Sequence, residues 1–126
     1  MEANVYKISD MEAEVMKVIW NKSDSITYAE IRTELRKNYD LKNQVIYTMI
    51  KRLVQKDVLK EEKRDVYYYS ALVSENEYIK SKTMSLVDKV FGGNVNNLIS
   101  ALISYEQVTP EDLENLKRLW NKGGSL

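Results

Sequence analysis

Residues 41–72, LKNQVIYTMIKRLVQKDVLKEEKRDVYYYSAL, decide the fold of this chain. The first half carries apolar residues at helical spacing, which predicts an amphipathic helix with one apolar stripe. The second half has two strand-like segments around a Lys63-Arg64-Asp65 tip, which predicts a β-hairpin. A helix followed by a basic-tipped hairpin is the pattern of a winged helix-turn-helix. The stripe consists of Val45, Ile46, Met49, Ile50 and Leu53.

The other sides of the predicted helix carry side chains that suit DNA. They combine hydrogen-bonding groups, which can meet base edges, with cations, which can meet phosphates. A helix-turn-helix presents such a helix to the major groove, so DNA is the leading partner. These residues are Gln44, Tyr47, Thr48, Lys51 and Arg52.

The distribution of charge supports this interpretation. The chain has 19 basic and 19 acidic residues, and its formal net charge of zero argues against a strongly basic binder. Residues 1–35 carry four basic and seven acidic side chains, whereas residues 36–64 carry nine basic and four acidic ones, a local excess of five. Positive charge is therefore concentrated on the predicted helix and wing. The nine are Arg36, Lys37, Lys42, Lys51, Arg52, Lys56, Lys60, Lys63 and Arg64.

Composition excludes several function classes. The chain has no cysteine and no histidine, which removes the usual zinc sites, thiol nucleophiles and imidazole bases. Its four glycines do not form a phosphate-binding loop. We therefore expect no enzymatic activity, no cofactor and no metal. No apolar run approaches the ~18–20 residues of a membrane span, and no signal-peptide pattern is present, so we expect a cytoplasmic protein without direct membrane binding.

Helix starts are marked by capping boxes, in which a Ser or Thr and the residue three positions later bond each other's backbone. Such starts lie at Ser9, Thr27 and Ser74, and Thr109-Pro110 marks another. Residues 21–26 are expected to form a polar loop. The predicted fold class is mainly α (α+β), with an N-terminal winged helix-turn-helix domain and a three-helix C-terminal dimerisation domain.

Aromatic residues allow more than one interpretation. Tyr67, Tyr68 and Tyr69 would alternate faces in a strand, so Tyr68 would point opposite to the other two. They serve either core and interface packing or, from the wing, a hydrogen bond to a DNA phosphate. Trp20 either closes the core or lies against the wing.

The C-terminal helices predict a homodimer. Residues 1–73 can form a self-contained winged helix domain, whereas residues 74–126 are too few to bury all their apolar faces alone. Two interlocked copies would bury these faces and present two recognition helices to two half-sites. The alternative is that the helices fold back onto the first domain. The expected dimer contacts are Val87, Val90, Phe91, Leu98, Ile99, Leu102, Ile103, Leu113, Leu116, Leu119 and Trp120.

The order of several motifs resembles the penicillinase and methicillin-resistance repressor family, of the BlaI/MecI type. The motifs are YKISDMEAEVMKVIW at 6–20, VIYTMIKRLVQKDVL at 45–59, KRDVYYYSALVS at 63–74, KVFGGN at 89–94 and TPEDLENLKRLW at 109–120. The resemblance covers essentially the whole chain. It implies a cytoplasmic, dimeric repressor of palindromic operators upstream of β-lactamase and sensor genes.

The resemblance also implies roles for individual residues. Gln44, Val45, Tyr47 and Thr48 match base-facing positions of the family. Backbone-contacting positions are matched by Arg52, Lys63 and Arg64. The complete predicted DNA-binding set is Lys42, Asn43, Gln44, Val45, Tyr47, Thr48, Lys51, Arg52, Lys63 and Arg64.

Inactivation by proteolysis is a further implication of the resemblance. In such families a membrane-bound sensor-protease detects β-lactam, and the repressor is then cleaved within its dimerisation domain. The scissile position matches Ala101-Leu102 in this chain. A related copper-responsive branch carries a Cys-rich C-terminal metal site, which this sequence cannot form because it lacks Cys and His.

Two other functions compete with repression. A winged helix can act as a protein-protein docking module without binding DNA, which zero net charge favours and the local basic excess disfavours. A regulator with a small-molecule pocket between domains is the third possibility, but the sequence contains no polar cluster for such a ligand.

Overall fold

A computed structural model describes residues 7–22 and 24–123, and the contacts within the chain group into one unit up to Thr83 and another from Met84. The described residues form mostly helices with one small sheet, which confirms the predicted mainly α (α+β) class. The elements are α1 (Asp10–Trp20), β1 (Ile26–Thr27), α2 (Tyr28–Leu35), α3 (Asn43–Gln55), β2 (Leu59–Lys63), β3 (Tyr67–Ala71), α4 (Glu75–Phe91), α5 (Val95–Ser104) and α6 (Pro110–Asn121).

The predicted capping boxes start the helices where the sequence places them. At α1, the Ser9 hydroxyl accepts a hydrogen bond from the Glu12 N–H at 3.2 Å, and Glu12 Oε1 accepts one from the Ser9 N–H at 2.9 Å. Thr27 caps α2 in the same way, and Ser74 does so at the start of α4. Each box satisfies backbone donors that the first helical turn leaves unpaired.

The core of the first unit lies between α1, α2, α3 and the sheet. The apolar stripe of α3 faces it, except that Val45 is 44% exposed and lies outside the core. Trp20 packs near the end of the wing: its Nε1 donates to the Val73 carbonyl at 2.9 Å, and its ring lies 5.5 Å from that of Tyr78. The buried apolar residues are Ile8, Ala13, Val15, Met16, Ile19, Ile26, Ile31, Leu35, Ile46, Met49, Ile50, Leu53, Val58, Leu59, Tyr69 and Val73.

The sheet has three antiparallel strands in the order β1-β3-β2. The hairpin of β2 and β3 is the predicted wing, and Lys63 pairs with Tyr67 at its tip. The expectation that residues 21–26 form only a loop was wrong at its end, because Ile26 pairs with Tyr69 of the hairpin. A two-residue strand is too short to show an alternating pattern. It forms because it pairs with β3, and its own residues do not predict it.

A residue in the left-handed region joins α3 to the wing. Asp57 has φ 60°, and the N–H of Val58 donates to the carbonyl of Leu53 at 3.0 Å. This bond spans five residues and is the closing bond of a Schellman motif, which ends a helix and turns the chain sharply. Helix α3 therefore ends before Asp57.

The second unit contains the end of α4 together with α5 and α6. Gly92 and Gly93 both have positive φ, and they end α4. α5 ends at Ser104, and Glu106, two residues later, adopts φ 59° and does not continue the helix. Thr109 caps α6 with Pro110 in its first turn.

The division between the units falls within α4, whereas the predicted domain boundary after residue 73 precedes that helix. The boundary of the folding domain stays a prediction. None of the described helices is both long enough and apolar enough to span a bilayer.

Candidate nucleic-acid interface

Hydrogen bonds across the turn between α2 and α3 fix the start of α3, the predicted recognition helix. The Tyr28 hydroxyl donates to the Asn43 carbonyl at 3.0 Å, and Arg36 Nε donates to the Leu41 carbonyl at 3.2 Å. The Arg36 guanidinium also donates to the side-chain oxygen of Asn43. Asn43, a predicted DNA contact, therefore already uses that oxygen within the protein. Lys42, the N-cap of α3, is exposed and makes no side-chain capping bond.

The face of α3 that points away from the core is exposed. Its first two turns contain most of the predicted base-facing residues. The Thr48 hydroxyl donates to the Gln44 carbonyl at 2.8 Å, and its exposed oxygen can still accept a hydrogen bond. Arg52 is exposed one turn later. The exposed residues of this face are Gln44, Val45, Tyr47, Thr48 and Arg52.

Lys51 is placed differently from the other predicted contacts, since it faces the wing. Its Nζ lies 3.0 and 3.2 Å from the two carboxylate oxygens of Glu61 on β2. It also lies 5.5 Å from the ring centroid of Tyr47 and 5.8 Å from that of Tyr67, within cation–π distance of both. The hydrogen bond that Lys51 donates to Glu61 raises the pKa of Lys51.

The buried Tyr69 completes this group. Its hydroxyl donates to Glu61 Oε2 at 2.9 Å, and burial together with that bond raises the pKa of Tyr69. The packing interpretation of Tyr69 is confirmed. Sequence reasoning did not identify Glu61 or Tyr69 as part of the interface. Glu61 lies ten residues after Lys51, across a turn and in another element, so no helical or strand spacing relates the two.

The tip of the wing carries two cations in different surroundings. Arg64 pairs with Glu62 at 3.2 Å, and its guanidinium lies 4.5 Å from the ring centroid of Tyr68. Lys63 is exposed and makes no ion pair within the described part of the chain. The side chain of Tyr68 lies opposite those of Tyr67 and Tyr69, as the alternation predicts.

Ion pairs reduce the number of cations that face solvent freely. Among residues 36–64, four cations pair with carboxylates, namely Lys37, Lys51, Lys56 and Arg64. Of the other five, Arg36 donates to the uncharged oxygens of Leu41 and Asn43, and Lys42, Arg52, Lys60 and Lys63 make no ion pair within residues 7–22 and 24–123. The unpaired cations lie at the start and end of α3 and on the wing, so positive charge surrounds the exposed face of α3.

The predicted dimer contacts lie in the second unit and are mostly solvent-exposed. From Met84 to Gly123, Val87 is the only buried residue. Trp120 is 77% exposed and Leu116 is 54% exposed. The predicted cleavage position lies within α5, where Ala101 is partly buried and Leu102 is exposed. Others that are exposed or partly buried are Val90, Phe91, Leu98, Ile99, Ile103, Leu113 and Leu119.

Solved structures similar to this chain cover somewhat more than half of it. The DNA binding domain of the repressor BlaI is 38% identical, with a TM-score of 0.55, and the match covers 61% of this chain and 94% of that one. The monomeric form of Bacillus licheniformis BlaI in complex with the blaP half-operator is 40% identical, with a TM-score of 0.51, and covers 57% of this chain and 88% of that one.

Sequence comparison extends the match over nearly the whole chain. The penicillinase repressor of Bacillus licheniformis is 33% identical over 114 residues, which cover 90% of this chain and 88% of that protein. The methicillin resistance regulatory protein MecI of Staphylococcus aureus is 28% identical over 123 residues, which cover 97% and 99%. The family model described as Penicillinase repressor matches residues 8–122. This chain therefore belongs to the penicillinase repressor family.

Proposed function

We propose that this chain is a transcriptional repressor that binds palindromic operator DNA as a homodimer in the cytoplasm. Its regulated genes are those of β-lactamase and β-lactam resistance, by analogy with the penicillinase repressors and MecI that it resembles. The observation that carries the proposal is the exposed face of α3 with unpaired cations at both ends and on the wing. The role is binding, not catalysis.

The geometry of α3 supports separate roles for the two elements: α3 contacts base edges, and the wing contacts the phosphate backbone. Gln44 and Thr48 lie one turn apart on the exposed face, where their polar groups can reach base edges in the major groove. Lys63 lies at the wing tip, where a cation can meet a phosphate without reading sequence. The BlaI structure with a half-operator supports DNA as the partner of this fold.

The exposed apolar side chains of the second unit support the homodimer. A soluble monomer rarely leaves so many large apolar residues open to water, and such faces mark association sites. Burying them between two copies would place two recognition helices on two half-sites, so that the operator is bound bivalently.

Proteolysis within α5 is the proposed route of inactivation, through a membrane-bound sensor-protease. A break between Ala101 and Leu102 would separate the end of α5 and all of α6 from the rest of the chain. The severed part carries much of the exposed apolar surface, so the dimer would weaken and operator affinity would fall. Mass spectrometry after incubation with the activated cognate sensor tests this step; an intact chain contradicts it.

Fluorescence anisotropy tests DNA binding directly. The protein is titrated with duplex DNA from its own promoter and with a scrambled duplex, across a series of salt concentrations. We expect selective binding to the promoter duplex and affinity that falls steeply with salt, because phosphate contacts release counterions. Equal, weak binding to both duplexes would instead support a protein-protein docking module.

Two substitutions test these separate roles of α3 and the wing. Lys63→Ala should weaken binding to every duplex similarly and reduce the salt slope by about one, as expected for one lost phosphate contact. Thr48→Ala should alter the preference among operator variants by about 1–3 kcal/mol at one base position. If both variants behave alike, helix and wing do not divide their roles in this way.

A further inference from the structure

Lys51 forms the polar link between the recognition helix and the wing. Its ammonium contacts Glu61 of β2, and Glu61 accepts a further hydrogen bond from Tyr69 of β3. The pair Lys51–Glu61 is the one ion pair between α3 and the hairpin in the part of the chain that the structure describes. Each of the three elements thus contributes a side chain to one hydrogen-bonded group.

The Lys51 ammonium has two aromatic neighbours besides Glu61. Tyr47 from α3 and Tyr67 from β3 both lie within cation–π distance of it. The Lys51 side chain is 37% exposed and that of Glu61 is 18% exposed, so the carboxylate is the more deeply placed partner. Arg52, the next residue, projects into solvent without an ion pair among the described residues.

We propose that Lys51 is a positioning residue for DNA binding: through Glu61 and Tyr69 it fixes the wing against α3, and it does not bind phosphate. This inference rests on the proposed operator binding, and it revises the sequence-based assignment of Lys51 as a DNA contact. Arg52 and Lys63 then make the phosphate contacts on this side of the interface.

The cost of the alternative arrangement supports this assignment. For Lys51 to bind a phosphate, it would have to leave Glu61, and a mostly buried carboxylate would lose its cation. That carboxylate would then lie near the polyanionic DNA backbone, where like charges repel. Cations without intramolecular partners, such as Arg52 and Lys63, can meet phosphates without this cost.

The core fixes the base of the wing, where Leu59 and Tyr69 are buried and β3 pairs with β1. The hairpin tip carries only exposed residues, so the direction of the outer part of the wing relative to α3 depends on the Lys51–Glu61 pair. A wing that moves relative to α3 would bring Lys63 to the backbone less often. Loss of Lys51 should therefore reduce the contribution of Lys63, although the two side chains do not share a contact.

The experiment uses the full chain and compares two neighbouring carboxylates. Glu61→Gln removes the charge that pairs with Lys51, whereas Glu62→Gln removes a charge from the neighbouring position of the same strand, where it pairs with Arg64 and not with α3. We expect Glu61→Gln to bind promoter DNA about tenfold more weakly than Glu62→Gln, a difference typical of side chains that are energetically coupled. A phosphate-binding Lys51 predicts the opposite order, since Glu61→Gln would free it.

A double-mutant cycle separates positioning from direct contact. In the Lys51→Met background, Lys63→Ala should have an effect well below that in the wild type, because the wing is already displaced. If the effects of Lys51→Met and Lys63→Ala add, or if Glu61→Gln binds at least as tightly as Glu62→Gln, the proposal is wrong.

Amide hydrogen exchange of the DNA-free protein supplies a readout independent of operator binding. Lys51→Met and Glu61→Gln should both accelerate exchange in β2 and β3, whereas Glu62→Gln should not. Unchanged exchange in both variants would show that the Lys51–Glu61 pair does not fix the wing against α3. Wild-type protein that does not prefer its promoter would refute the proposed function, but the exchange experiment would still test the link itself.

Discussion

Glu12 is the single buried charged residue in the described part of the chain, with 3% of its surface exposed. Its Oε1 accepts hydrogen bonds from the Ser9 N–H and from Lys56 Nζ, the latter at 2.7 Å. Lys56 is the C-cap of α3, and it also donates to the carbonyl of Lys7. One side chain therefore connects the start of α1 to the end of the recognition helix.

Glu12→Gln should destabilise the protein because it keeps the shape but removes the charge that pairs with Lys56. Lys56 is 25% exposed, so its ammonium is only partly hydrated once the carboxylate is gone. We expect a loss of about 1–3 kcal/mol in the free energy of unfolding, measured by urea denaturation. Glu14→Gln, which breaks the exposed pair with Lys17, should cost at most about 1 kcal/mol. Equal losses would contradict a special role for Glu12.

The same variant should change the acid dependence of stability. Burial raises the pKa of Glu12, but the hydrogen bonds from Lys56 and Ser9 outweigh it, and the pKa lies below the ordinary value of 4.5. A lowered pKa in the folded state contributes stability above pH 4.5, which is lost as the pH falls through the folded value. The difference in stability between wild type and Glu12→Gln should shrink in that acidic range. A constant difference would show that the Glu12 charge is not responsible.

At the scale of elements, the sequence predicted the features that depend on residues close in the chain, but not the contacts between elements. Capping boxes fixed the starts of helices because their bonds lie within three residues. The stripe from Ile46 to Leu53 predicted the buried face of α3 for the same reason. The strand at Ile26 and the pair of Lys51 with Glu61 have partners that are distant in sequence, and no periodicity in the chain encodes them.

The turn at Asp57, between α3 and the wing, leads to a prediction about stability. Asp57 lies in the left-handed region, which a β-branched residue adopts only with strain. Asp57→Val should lower the free energy of unfolding by about 1–2 kcal/mol. Asp57→Gly should stay within about 1 kcal/mol of the wild type, because glycine adopts this conformation without strain but gains freedom when unfolded. Urea denaturation of both variants measures the difference, and equally stable variants would contradict a strained junction.

At the scale of the molecule, the two units have different degrees of burial. The first unit has a core of apolar residues from every element of the winged helix. In the second unit, the described residues contribute only Val87 to the buried set. A unit of this size gains little stability from so small a core, and the proposed association with a second copy would provide the burial that it lacks on its own.

Leu116→Glu places a charge on the exposed apolar face of α6 and should therefore yield a monomer. Sedimentation of the wild type across a dilution series should show a dimer at micromolar concentration, whereas the variant should remain monomeric. Affinity for a full palindrome should fall by about 10²–10⁴, because bivalent binding is lost, while affinity for a half-site should not change. Arg118→Gln lies about half a turn away on the polar face and should keep both properties. A monomeric wild type, or tight palindrome binding by Leu116→Glu, would show that the C-terminal helices do not join two copies.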